Sequence, residues 1–253
     1  MEVKPTVDTV CARMASQHKK LGVIGGLGPA ATVYLYDQLV RLTDASIDQQ
    51  HLDITILNRP QTPDRTAFLL GESEDDFAPA VCAAARDLVG LGCEVICMPC
   101  VTAHAAHDQI ERAARPAQLV SLPDVVADDL VERGCSCIGI MATAGTVATG
   151  FLQATLEARG LAVRVPDDEH QALVTSIIFD EVKAGRPVTM EKFERACDHL
   201  LAQGCDAVVL GCTELPLIHA PRRYRDAYVA DSLKILARRS IEACGARVRH
   251  MEE

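Results

Sequence analysis

The sequence predicts an α/β protein of two pseudo-symmetric lobes, each a mostly parallel sheet with helices on both faces, and a cleft between them. Three observations predict it. Apolar runs of strand length alternate with helical stripes and glycine turns along the chain. The strands are continuous apolar runs, as parallel strands covered on both faces require. A strand, turn and helix order that begins at Leu21 restarts at Cys135.

Residues 1–20 lack periodicity and read as a loosely ordered extension. "KLGVIGGLGPAATVYLYDQLVRLT" is a buried strand, a glycine turn and a helix with Pro29 in its first turn, where the missing N–H is tolerated. "LDITILN" is a second strand, running into "RPQTPDRTAFLLG", a polar loop. Phe77, Val81, Ala84, Leu88 and Leu91 form a helical stripe that Gly92 ends. "CEVICMP" is the third strand, a helix runs from Thr102 to near Arg115, and "QLVSLPDVVADDLVERG" adds a short strand and a helix. The order then restarts. "CSCIGIMATAGTVATGFLQATLEARG" is again strand, small-residue turn and helix, with Gly139 placed in its strand as Gly22 is in the first. "LAVRVP" is a strand, "QALVTSIIFDEVKAG" a helical segment, and the helix "TMEKFERACDHLLAQG" leads into another strand. "DAYVADSLKILARRSIEAC" closes with a strand and a helix. The implied division is residues 21–116 for the first lobe, with the helix of about 231–245 packing back on it, and 117–230 for the second.

Composition narrows the function. A formal charge of -10 argues against a nucleic-acid groove or an anionic membrane surface, which need clustered Lys and Arg. No apolar run approaches the roughly 20 residues of a membrane span, and no signal-type segment opens the chain, so a cytoplasmic protein is expected. Its 11 cysteines, odd in number and without framework spacing, then read as reduced thiols.

Two stretches share one grammar, "LGCEVICMPCVTAH" over 91–104 and "QGCDAVVLGCTELP" over 203–216. In each, Gly-Cys precedes an acidic residue and an apolar run, and Cys100 or Cys212 stands eight residues after the glycine, with Thr102 or Thr213 close behind. Ligands of open parallel sheets bind beyond the carboxyl ends of the strands, so both cysteines fall where a ligand sits. A helix start after Cys100 favours its thiolate. Two thiols facing one ligand suit inversion at a carbon: one removes a proton from one face and the other returns one to the opposite face.

The other groups have plainer readings. Cys82, Cys93, Cys97, Cys197 and Cys205 read as small buried hydrophobes. The Cys97–Cys100 CxxC lacks the second pair that zinc needs, since Cys135 and Cys137 are wrongly spaced; a thioredoxin-type redox pair is an alternative that leaves Cys212 unexplained. "GVIGGLGPA" lacks the G-x-G-x-x-G spacing, and Asn58-Arg59 stands where NAD wants an acidic ribose partner. Gly25, Gly26 and Gly28 instead read as a turn whose N–H groups approach a small ligand, and Thr143 to Thr146 as its counterpart; a carboxylate suits both. Arg65 is able to fork onto a carboxylate or to lie solvated, Lys183 near a helix end reads as a dipole partner, and His104, one turn from Cys100, is placed to tune it.

"GGLGPAAT", "DQQHLDITILNRPQTPDRT", "MPCVTAH", "ATAGTV" and "GCTELPL" together resemble the cofactor-independent aspartate/glutamate racemase family, most nearly its aspartate racemases, from Leu21 to about Leu236. The resemblance implies a homodimer of two-lobed subunits, a small acidic amino-acid substrate held between the lobes, and no pyridoxal phosphate or metal. It implies catalytic roles for Cys100 and Cys212, and substrate contacts from Arg65, Thr102, Thr143, Lys183 and Thr213; the N–H groups around Gly26, from the turn reading, are expected to hold the rest of the substrate. One residue departs from the pattern. Val101 stands where the family usually has Asn, removing an amide that helps place the substrate, at about 1–3 kcal/mol if a ligand group loses its partner. A racemase or isomerase of another small acid, and an amino-acid-binding protein that retains the fold, are the alternatives this change leaves open.

Overall fold

The computed structural model describes residues 18–249; residues 1–17, most of the expected extension, lie outside them. Two sheets form, with strand orders β2-β1-β3-β4 and β6-β5-β7-β9-β8. The first holds β1 (Leu21–Gly25), β2 (Ile54–Asn58), β3 (Val95–Cys97) and β4 (Gln118–Val120), all parallel. The second holds β5 (Cys137–Met141), β6 (Ala162–Arg164), β7 (Ala207–Leu210), β8 (Arg223–Tyr224) and β9 (Ala227–Asp231). Only β8 runs antiparallel there, paired to β9. In both sheets the central pair, β1 with β3 and β5 with β7, is nearly or wholly buried, as its unbroken apolar sequence requires.

The helices complete the two lobes: α1 (Pro29–Leu42), α2 (Arg65–Leu69), α3 (Ala78–Gly90), α4 (His107–Ala114), α5 (Leu122–Glu132), α6 (Ala144–Thr149), α7 (Phe151–Glu157), α8 (Asp168–Ser176), α9 (Met190–Ala202) and α10 (Ser232–Ala243). Three local readings change. Helix α2 forms inside the expected polar loop because Asp64 caps it, its carboxylate accepting the Ala67 N–H at 2.8 Å. The helix expected from Thr102 begins as a 3-10 turn, Thr102–Ala106, before α4. After α8 the chain widens into a π-helical turn, Ile177–Val182, that apolar periodicity does not reveal. The boundary expected at 116–117 also shifts: Gln118 pairs with Val95, so β4 belongs to the first sheet. Its physical reason is the crossover that parallel pairing demands, which α4 supplies before the chain leaves the lobe.

One apolar cluster, running from Leu21, Leu35 and Leu39 through Ile138 and Val209 to Leu233 and Leu236, spans both sheets, while separate clusters cover their outer faces. Helix α10 packs against α1, α5 and β3 within it. Among the described residues no helix is long and apolar enough to cross a membrane.

The repeat extends to packing. A Cβ on Gly22 would stand 3.1 Å from Leu88 Cδ1 and Cys93 Cβ, and one on Gly139 would stand 2.9 Å from Leu200 Cβ. In each lobe, a helix ending in Gly-Cys presses a leucine onto a glycine of the central strand. Gly139→Ala is expected to lower unfolding free energy by about 1–3 kcal/mol through overpacking, read as a lower denaturant midpoint at unchanged m-value.

Candidate active site

Cys100 follows β3 and Cys212 follows β7, so the paired sheets carry both to their carboxyl ends. There they line one cavity together with Leu27, Arg65, Val101, Thr102, Thr143, Lys183, Thr213 and Glu214. Its volume is about 10 Å³, room for about one water. An amino acid enters only if the walls part.

The two cysteine turns are tied to each other. The Thr213 hydroxyl donates to the Pro99 carbonyl at 3.1 Å, across the lobes. Thr102, Thr143 and Thr146 form a triangle of buried hydroxyls, with edges of 3.2, 2.9 and 3.1 Å, again bridging the lobes. Helix α2 meets α6 so closely that a Cβ on Gly145 would stand 3.0 Å from Thr66 Cα.

The thiols differ in surroundings. Both are nearly inaccessible. Cys212 donates its S–H to Glu214 Oε2 at 3.0 Å. Burial first, then the Glu214 charge and this hydrogen bond, hold its thiol well above the usual range, with Lys183 pulling the other way. The residue matching Glu214 after Cys100 is Thr102, which carries no charge. Glu214 reaches across to the first lobe because residue 28 is glycine: a Cβ there would stand 2.8 Å from its Oε1.

His104 supports the Cys100 turn through the backbone. Its Nδ1 lies 2.8 Å from the Cys100 carbonyl, and its Nε2 accepts the Leu122 N–H at 3.2 Å, so the ring is neutral with the proton on Nδ1. Burial lowers its pKa to about 4. The imidazole therefore brings no positive charge to the thiol; it fixes the turn.

The cations are held differently. Arg65, first residue of the capped α2, donates through Nη1 to the Thr62 and Pro63 carbonyls at 3.2 and 2.9 Å and through Nη2 to Leu27 at 2.8 Å. Its buried Nε has no partner, which leaves a donor at the cavity unspent. Lys183 stands at the end of the π-helical turn, Nζ 3.7 Å from Glu214 and 4.8 Å from the Phe179 ring centroid.

One expected contact differs. Gly26 does not line the cavity; its N–H donates to Thr32 Oγ1 at 2.9 Å, and its φ of +91° serves a turn packed on Arg59. Leu27 lines the cavity instead. The residue that sequence reasoning missed is Glu214, whose signal was an acidic side chain two positions beyond Cys212. Among the described residues, Asp167, His170 and His199 have metal-like spacing but lie outside the cavity lining. The two imidazoles stack with planes 15° apart, and Asp167 already caps α8.

The model of the Asp/Glu/hydantoin racemase family matches residues 24–239. The chain belongs to that family. Within it, the aspartate racemase of Picrophilus torridus superposes with a TM-score of 0.77 at 28% identity, over 91% of this chain and 96% of that one. A glutamate racemase from Ectopseudomonas mendocina is 28% identical over 150 residues, 58% of this chain and 56% of the relative, so the match spans about half that enzyme's length. A broad specificity amino-acid racemase from Bacillus subtilis is 22% identical over 201 residues, 77% of this chain and 85% of the relative.

His104 gives this racemase-family fold a pH dependence. Its pKa falls from 6.5 to about 4 on folding, so its stabilising contribution is complete above about 6.5 and is lost as pH drops toward 4. The size is about 3 kcal/mol. Denaturation at pH 7 and pH 5 should show a smaller pH-induced loss in His104→Gln than in the unsubstituted chain, though the variant starts less stable.

Proposed function

We propose that the chain is an amino-acid racemase for an aspartate- or glutamate-type substrate, working without pyridoxal phosphate, with Cys100 and Cys212 exchanging the roles of base and acid. The observation that carries this reading is the single cavity lined by both cysteines and by the two cations Arg65 and Lys183. Arg65 takes a substrate carboxylate on its vacant Nε–H, and Lys183 turns from Glu214 toward another. Hydroxyls of Thr102, Thr143 and Thr213 reorient toward the substrate's polar groups as the walls close. One thiolate then removes the α-proton, and the opposite thiol delivers another to the far face of the planar carbanion. Negative charge spreads onto the α-carboxylate, where fixed donors in a dry cavity stabilise it most.

Glu214 gives the two thiols different starting states. A carboxylate beside Cys212 favours its protonated form, so Cys212 starts as the acid for one enantiomer, and the roles exchange for the other. Val101, buried where the family usually has Asn, favours a second reading in which the substrate is another small acid with one fewer polar contact at that point. The homodimer that the family resemblance implies has apolar surface to offer at Val33, Tyr36 and Val40, exposed on one stripe of α1; sedimentation of the full chain as a monomer at micromolar concentration would remove it.

Incubation with L-aspartate, or with L-glutamate, in D₂O without cofactor should exchange the α-proton and lose optical activity. Cys100→Ser and Cys212→Ser should each abolish racemisation. Binding without exchange for every small acid tried would instead identify a binding protein. Glu214→Gln removes the charge that raises the Cys212 pKa, so the limb of the pH–rate profile that reports Cys212 should move to lower pH. An unmoved limb would mean that Glu214 has no hold on the reacting thiol.

A further inference from the structure

The two sulfurs of Cys137 and Cys205 lie 3.9 Å apart, and neither borders the cavity. Cys137 opens β5 and is partly exposed; Cys205, 7% exposed, stands in the turn before β7. Strands β5 and β7 are neighbours in the sheet, with Ile138 opposite Ala207 and the Asp206 N–H on the Cys137 carbonyl at 2.9 Å. Both cysteines pack on the same apolar cluster, so their side chains share one face of the sheet.

The backbone around the pair is held in place. The Asp206 carboxylate, next in sequence to Cys205, accepts the N–H groups of Ser136 at 2.9 Å and Cys137 at 3.3 Å, as well as the Ser136 hydroxyl. A disulfide needs sulfurs at about 2.05 Å. Closing from 3.9 Å asks for side-chain rotation, with the strands already side by side.

We propose that Cys137 and Cys205 are a modification site, an oxidisable dithiol that forms a reversible disulfide with a peroxide-class oxidant and staples β5 to β7. The Cys137 sulfur, the accessible one, attacks a peroxide oxygen; the O–O bond breaks, one oxygen leaves as water and Cys137 becomes a sulfenic acid. The Cys205 sulfur then attacks Cys137, displacing the second oxygen as water. Two electrons pass from the sulfurs to the peroxide, and the two thiol protons end in the two waters. Burial, with Cys137 alongside, pushes the Cys205 thiol up to about 12, so the second step is slow at neutral pH and quickens as pH rises.

The location sets the consequence. Cys137 and Cys205 stand at the amino ends of β5 and β7, while Thr143 and Cys212 follow the carboxyl ends. The staple therefore closes a long loop of the second lobe at the end remote from the cavity, and its expected effect is on stability. This inference stands independently of the racemase reading.

The full chain treated with hydrogen peroxide, alkylated and digested with trypsin should yield a peptide pair joining residues 134–159 to 196–222 through Cys137 and Cys205. A thiol reductant should undo the link, and the oxidised chain should melt at higher temperature. Cys205→Ser should yield no link and leave Cys137 open to capture by dimedone as the sulfenic acid. Recovery of Cys137 and Cys205 both alkylated while other thiols oxidise, or a link from either one to a different cysteine, overturns the proposal.

Discussion

The arrangement of the cavity depends on two turns that end neighbouring sheets and hold each other. Neither the Met98–Val101 turn nor the Gly211–Glu214 turn has regular structure to fix it, yet both are buried and their polar groups need partners. Several of those partners come from the other turn or the other lobe. Thr213 donates to Pro99, and Thr102 completes its hydroxyl triangle with Thr143 and Thr146. Residues 213 and 99 are thus held within hydrogen-bond reach by a contact that also satisfies a buried carbonyl. Parting the lobes breaks these bonds together. A substrate that parts them must replace them with its own donors and acceptors, which selects polar ligands over apolar ones.

The same economy explains how cations are kept beside an almost closed, nearly dry space. A buried guanidinium with all its donors unpaired would be costly. Arg65 spends three hydrogen bonds on carbonyls of its own lobe, which fix its plane, and keeps Nε in reserve. Lys183 is paired with Glu214 at 3.7 Å and lies over Phe179. Each positive charge therefore has partners of its own and something left to offer an anion that reaches the cavity.

Much of this was legible in the sequence, for reasons that separate by residue. Unbroken apolar strands, helical stripes and the twice-used Gly-Cys grammar report burial and topology, which composition and periodicity encode directly. They placed Cys100 and Cys212 at strand ends, and the structure brings them to one cavity. In sequence, a glycine turn looks the same whether its N–H faces a ligand or, as at Gly26, Thr32. The π-helical turn before Lys183 leaves no periodic trace, since one extra residue in a turn is within the noise of an apolar stripe. Strand β4 shows that only pairing, not pattern, decides which sheet a three-residue strand joins.

Glu214 shows where pseudo-symmetry stops. Equivalent sheets deliver equivalent thiols, but the residue two positions on is a carboxylate in one turn and a hydroxyl in the other. On the proposed reading, a carboxylate in both turns would favour the protonated form of both thiols and leave no ready base. If neither did, nothing in the second turn would favour one ionisation pattern over the reverse. On the proposed reading a single carboxylate resolves the choice, and its link to Lys183 would couple that choice to ligand binding: an anion that draws Lys183 away removes a positive charge beside Glu214, which strengthens the carboxylate's hold on the Cys212 proton. On the proposed reading the arriving substrate thereby reinforces the acid role of Cys212 for the enantiomer whose proton Cys100 removes.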